Sequence, residues 1–239
     1  MKFTFEPIGH IRSCFSEKFG IPRQPGLVSD ALAVVDIEPT FQRIEAFQEL
    51  EGFSHIWILF VFHQCHSTWK TTVRPPRLGG NRRVGVFASR SGFRPNPIGQ
   101  SVVELVSIKA DRGSLRLHIK GVDLMNGTPV LDIKPYLPYA DCRPHARAGY
   151  AGGKPQAVKQ VVFSPAATET CRELENDSRP NLCRLITGLL SLDPRPGYAD
   201  ISGKRNYAMR LWDLDVRFSI DGNQFVVTDV QLVNVDGAL

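Results

Sequence analysis

Between Gly52 and Val103 the chain has no aspartate and no glutamate, although the same 52 residues hold seven lysines and arginines and three histidines. Lys70, Arg74, Arg77, Arg82, Arg83, Arg90 and Arg94 therefore have no acidic neighbour close in sequence, and an internally salt-bridged helix is excluded for this stretch. Other absences narrow the chemistry. No two glycines are separated by a single residue, so the dinucleotide-binding fingerprint is missing, as is any G-x-x-x-x-G-K-[ST] phosphate loop. Five widely spaced cysteines contain no C-x-x-C pair, and no histidines are spaced for a metal. A disulfide framework or zinc site is not expected, and a reducing cytoplasm is the natural compartment. The longest apolar run, Ile56 to Phe62, is seven residues, against the roughly 20 needed to cross a bilayer. No leader-length apolar run follows Met1-Lys2-Phe3, so neither membrane nor metal is expected.

What is present is an ordinary globular composition with a basic bias. The 239 residues are 42% hydrophobic and 22% charged, with a net charge of +5. That excess favours acidic partners, nucleic acid above all. The acid-free stretch is broken by Pro75, Pro76, Gly79, Gly80, Pro95 and Pro97, which puts its arginines on shaped loops. A polyanion-binding surface is one reading of it, and a solvated basic face with no partner is the other.

The first 140 residues read as short strands: Ala31 to Ile37, His55 to Phe62, Val84 to Ala88, Val102 to Lys109, Leu115 to Ile119 and Val130 to Ile133, with Phe3 and Phe5 also strand-like. Leu115, Leu117 and Ile119 alternate with Arg116, His118 and Lys120, the mark of a strand with one buried face. Phe41, Ile44, Phe47 and Leu50 are spaced for a short helix over 40–50. Residues 141–156, rich in Ala, Gly and Pro, read as a linker. Beyond it the spacing predicts helices over 166–176 and 180–190, and a hairpin turning at Asp221-Gly222-Asn223. The expectation is a mainly β protein: an antiparallel barrel or sandwich over 1–140 and a small α+β domain over 157–239.

Several dense loop motifs stand out: Pro22-Arg23-Gln24-Pro25-Gly26-Leu27; Ser54 to Phe60 running on to His63-Gln64; Arg74-Pro75-Pro76-Arg77; Val84 to Ser91; Phe93-Arg94-Pro95-Asn96-Pro97; Val122-Asp123-Leu124; and Asp132-Ile133-Lys134-Pro135-Tyr136. In this order, and with Asp193-Pro194-Arg195-Pro196 and Tyr198 further on, they resemble the TsaA-like family. The closest resemblance is to its bacterial two-domain members, which methylate N6 of threonylcarbamoyladenosine in tRNA.

The resemblance implies a single-sheet β-barrel, a homodimer, S-adenosylmethionine as methyl donor and the tRNA anticodon loop as partner. It places the donor on Pro25, Gly26, Leu27, His63, Gln64, Arg90, Val122, Asp123 and Leu124. Arg90 suits the donor's carboxylate and Asp123 its hydroxyls or amine. Arg74, Arg77, Arg94, Lys134, Arg195 and Tyr198 are expected against RNA, and Asn96 and Tyr136 are the candidate catalytic residues. Residue by residue, other readings stand beside these. His63 can be a core histidine, Arg90 part of the RNA patch, Asp123 a turn cap, and any of the arginines a brace for its own loop. Either the substrate's carboxylate accepts the N6 proton or water takes it, because the acid-free stretch supplies no base. A non-catalytic RNA-binding module, or an enzyme of small acidic metabolites, are the competing functions.

Overall fold

The structure, a computed structural model, describes residues 2–65, 68–111, 113–155, 157, 159–195 and 206–233. Alternation of apolar and polar residues is the cause of its first unit. In the strands β1 (Gly9–Ser13), β2 (Leu32–Ile37) and β3 (His55–Val61), every second side chain is buried. A two-strand ribbon, β4 (Thr72–Val73) with β5 (Val84–Gly85), interrupts the series. β6 (Ile98–Asp111), β7 (Ser114–Lys120) and β8 (Pro129–Pro135) complete it. The sheet closes in the order β1-β2-β7-β6-β3-β8, with every neighbouring pair antiparallel, so the barrel leaves no free edge. This is the expected single-sheet barrel.

Val35, Ile56, Ile58, Leu117, Ile119 and Val130 fill its interior at 1% exposure or less. Each such side chain contributes about 1.5–3 kcal/mol by leaving water. Gly99 faces Phe60 across the β3–β6 pairing, and the Phe60 ring lies where a Cβ would stand. That small-against-large pairing sets the floor from which the chain runs on to His63.

Two expectations fail in this unit. Residues 40–50 form no α-helix; the segment is three 3-10 turns, Pro39–Phe41, Ile44–Phe47 and Leu50–Gly52, none capped by a side chain. Glu49 takes a left-handed φ of 64°, which breaks any continuous helix, and Ile44 is exposed rather than part of a buried stripe. Phe3 and Phe5 are exposed and lie outside any strand.

After the one-turn helix α1 (Pro138–Asp141), a second unit follows: β9 (Gln160–Phe163), α2 (Pro165–Leu174), α3 (Leu182–Ser191), β10 (Asn206–Leu211), β11 (Leu214–Asp221) and β12 (Gln224–Leu232). Its sheet runs β10-β11-β12-β9, with β9 parallel to β12. Ser164 caps α2 by accepting from the Ala167 amide at 3.1 Å. The anticipated turn at Asp221-Gly222-Asn223 joins β11 to β12, with Gly222 at φ 56°. Buried residues of both units form one continuous apolar cluster. Among the described residues no helix is long and apolar enough to cross a membrane.

Candidate functional site

A cleft of about 580 Å³ opens where β3 ends. One wall is a strap between β1 and β2 that contributes Lys18 and Ile21 to Gln24. The opposite wall comes from His63, Gln64 and Cys65, from residues 89–94, and from Ile98 to Ser101 at the start of β6. Asp123, Leu124 and Met125, on the connection after β7, close the back. The aromatic floor is Phe60 against Phe62, edge to face with centroids 5.0 Å apart.

The charges are unequal. Lys18, Arg23, Arg90 and Arg94 line the cleft, and Asp123 is its only carboxylate among the described residues. Burial pushes the Asp123 carboxyl up to about 6. The Ser101 hydroxyl donates to it at 2.6 Å and, with its own backbone and the Arg90 charge, pulls the other way. Ser101 is itself buried, a polar side chain at an inward position of β6. Arg90 donates from Nη1 to Gln24 Oε1 at 2.6 Å, and Lys18 donates from Nζ to the Gln64 carbonyl at 3.0 Å. Both bonds tie the strap to the opposite wall.

Of the nine residues expected to hold a cofactor, His63, Gln64, Arg90, Asp123 and Leu124 are brought together in this cleft. Pro25, Gly26, Leu27 and Val122 do not line it. Gly26, at φ 71°, donates its amide to the Gly121 carbonyl at 2.8 Å, and Val122 is wholly buried. The Gly26 bond ties the strap to the strand end that leads to Asp123.

The residues expected against RNA divide differently. Arg94 reaches the cleft, but its guanidinium braces the neighbouring turn, donating to the Ser89 carbonyl at 2.7 Å and the Val86 carbonyl at 3.2 Å. Arg77 donates to the Gly153 carbonyl, and the Tyr150 hydroxyl donates to the Ala88 carbonyl at 2.8 Å, so residues 150–153 lie across these loops. Arg74 is exposed. Lys134, exposed on β8, pairs with Asp132 at 2.7 Å.

Neither catalytic candidate lines the cleft of this chain. Asn96 is an exposed loop residue. Tyr136 sits at the far end of β3, its ring 6.4 Å from His55 and 6.0 Å from Trp57. Arg195 requires a correction: it is 7% exposed and forked onto Asp193 at 2.8 and 2.7 Å, so its guanidinium is engaged within its own turn rather than presented on an open loop. Tyr198 lies outside the described residues.

Lys18 and Ser101 lie outside the motifs, and Arg23 and Phe87 lie within them without having been assigned a role at the site. Phe87, 72% exposed, lies on the turn that Arg94 braces, with the Arg94 guanidinium 5.5 Å from its ring centroid. A serine at an inward strand position could have flagged Ser101; no pattern in the sequence marks Phe87 as exposed.

Comparison with known proteins supplies the remaining link. The family model for the tRNA-methyltransferase O N-terminal domain matches residues 10–142, and that for the TrmO C-terminal domain matches 156–233. A tRNA (adenine(37)-N6)-methyltransferase of Escherichia coli K12 is 47% identical over 228 residues, covering 94% of this chain and 96% of that protein. A putative S-adenosylmethionine-dependent methyltransferase of Pseudomonas aeruginosa is 48% identical over 219 residues, covering 91% and 93%. The crystal structure of TrmO from Pseudomonas aeruginosa aligns with a TM-score of 0.81 at 41% identity, over 97% of this chain and 99% of that one.

Proposed function

We propose, on the premise that this chain belongs to the tRNA-methyltransferase O family, that it methylates N6 of a threonylcarbamoylated adenosine beside the tRNA anticodon, with S-adenosylmethionine as donor. One observation carries this reading: among the described residues the cleft has four cations and a single carboxylate, Asp123, at the rim of loops that are otherwise basic. The residues fit the donor. Ile21, Leu59, Phe62 and Leu124 offer apolar surface for an adenine. Arg90 is placed to take the donor's carboxylate with a fork of N–H groups, and Asp123 to accept from its ribose hydroxyls or amine. His63 and Gln64 complete the wall. S-adenosylmethionine supplies an electrophilic methyl carbon on a positively charged sulfur when bound. The chain's own part is to orient, to keep water out and to balance charge.

Arg74, Arg77 and Lys134 extend the cationic face for the RNA backbone, with Tyr136 as an aromatic surface at the far end of β3. Trp57, Val61, Ile98 and Val102 project outward from β3 and β6, an apolar strip beside the cleft that supports a homodimer. The working boundaries are a catalytic domain over 1–140, a linker over 141–156 and a second domain over 157–239, supported by the end of α1 at Asp141 and the start of β9 at Gln160. The reaction is assigned to the cytoplasm.

The test is mass spectrometry of nucleosides from threonylcarbamoylated tRNA incubated with the protein and S-adenosylmethionine. A gain of one methyl on that nucleoside supports the assignment, and no gain rejects it. A non-catalytic RNA-binding module would also give no heat with S-adenosylmethionine in a calorimeter.

An exposed aromatic among cations suits an unstacked anticodon-loop base. Phe87→Ala is expected to raise the KM for tRNA about 5- to 30-fold, the loss of about 1–2 kcal/mol of stacking, and to leave the salt dependence unchanged. Arg74→Ala is expected to lower the slope of log affinity against log salt by about one. Measuring both variants at several salt concentrations separates stacking from counter-ion release.

A further inference from the structure

The strap that carries one wall of the cleft is also the part of the barrel unit that the second unit grips. The Cys14 carbonyl accepts from the Trp212 amide at 2.7 Å, and Phe15 forms a β-bridge with Leu211. Phe19 stacks on Phe218 with centroids 6.5 Å apart, and Asp30 pairs with Arg184 at 3.1 Å. Between these contacts lies the wall residue Arg23. It donates from Nη2 to the Arg195 carbonyl at 2.9 Å and to the Asp193 carbonyl at 3.4 Å.

The turn that presents those two carbonyls is itself held in shape. Asp193 takes a left-handed φ of 51°, uncommon for a residue with a Cβ. Its carboxylate receives both Nε and Nη2 of Arg195, and the buried Arg195 guanidinium lies 5.5 Å from the Phe225 ring centroid. An exposed arginine otherwise samples many rotamers, and fixing it costs entropy that this turn offsets before any ligand arrives. With Arg23 fixed, its neighbour Gln24 is set to accept from Arg90, which in turn acts on Asp123.

We propose that the Asp193–Arg195 turn is a latch on the methyl-donor wall: Arg23, Asp193 and Arg195 are positioning residues for donor binding, and the second domain serves the donor through them. This rests on the donor site assigned above. It gives the Asp193-Pro194-Arg195 motif a task other than contact with RNA.

Two variants of the full chain test it. Arg23→Met retains the aliphatic stem, and Asp193→Gly retains the left-handed turn but removes the carboxylate. Each is expected to weaken S-adenosylmethionine binding about 5- to 10-fold by calorimetry, with kcat at saturating donor and the KM for tRNA within about twofold. In the free protein each is expected to speed hydrogen exchange at the Gly26 amide, whose bond to Gly121 ties down the strap. The double variant is expected to be no worse than the weaker single one, because both cut the same link.

Multiplying effects in the double variant, or unchanged exchange at Gly26, would overturn the latch. So would an unchanged donor affinity combined with a raised KM for tRNA, the signature of an RNA contact. If Asp193→Gly melts globally, Arg23→Lys decides, since it retains the charge in the cleft but its ammonium stops one bond short of the Nη2 position that meets both carbonyls; donor affinity equal to the unsubstituted chain rejects the proposal. An unsubstituted chain that gives no heat with the donor instead rejects the functional assignment beneath it.

Discussion

Asp123→Asn is expected to weaken S-adenosylmethionine binding about 30- to 100-fold at pH 7.5 and, at the same pH, to raise the melting temperature of the free protein. Both effects come from one fact: burial raises the Asp123 carboxyl from 3.8 to about 6, so the fold holds this side chain at a cost once it is ionised. Between those two values the folded state binds more protons than the unfolded one. Stability therefore falls as pH rises through that window and stays lower above about 6. Two pH units correspond to at most about 3 kcal/mol. Asparagine avoids this cost and still offers Ser101 an acceptor oxygen, hence the higher melting temperature. What it loses is the negative charge facing a positively charged ligand.

The same logic gives a pH signature. Donor affinity of the unsubstituted protein is expected to drop as pH falls below about 6, where Asp123 protonates, and that of the variant to stay flat. Calorimetry between pH 5 and 8, with a melting curve at each pH, checks both. A variant that binds the donor normally but loses kcat would make Asp123 the proton acceptor of the reaction instead.

Such a trade of stability for function was only partly visible in the chain. The barrel was legible where its buried positions alternate, as in Leu115, Leu117 and Ile119, since burial on one face of a sheet demands that pattern. β1 was not, since Gly-His-Ile-Arg-Ser places one large apolar residue among polar ones and is held by pairing to β2 and β8. The turns over 39–52 misled because a periodic set of apolar residues describes either a helix or a loop that touches the core at intervals.

At the site, His63, Gln64, Arg90, Asp123 and Leu124 could be named together through the family's motifs, but their meeting depends on barrel closure. Asp123 shows this best. The acid-free stretch supplies no carboxylate of its own; the antiparallel pairing of β6 with β7 returns the chain, and Asp123 arrives beside Ser101 from beyond the stretch. Arg195 shows the converse. An arginine in a Pro-rich loop looks the same in sequence whether it faces RNA or a carboxylate of its own turn, and only the fork onto Asp193 decides.

The second large effect concerns the substrate. On tRNA whose adenosine lacks the threonylcarbamoyl group, kcat/KM is expected to fall by about a thousandfold or more, equivalent to roughly 4 kcal/mol of transition-state stabilisation. Two contributions combine. Acylation delocalises the N6 lone pair and makes the N–H more acidic, so the nitrogen gives up its proton more readily as it accepts the methyl. The threonyl carboxylate also brings a negative charge to a cleft whose cations, Lys18, Arg90 and Arg94 among them, outnumber its carboxylates among the described residues. If Asp123 is occupied by the donor, the cleft retains no other carboxylate among the described residues, and the substrate's own group becomes the nearest acceptor for the N6 proton. Steady-state rates on the two tRNAs, with Asp123→Asn measured on each, separate the cases. Equal rates on both tRNAs would sink the substrate-assisted step. A loss confined to KM would reduce the carboxylate to a binding handle, and a loss in kcat that survives saturating tRNA would establish it as part of the chemistry.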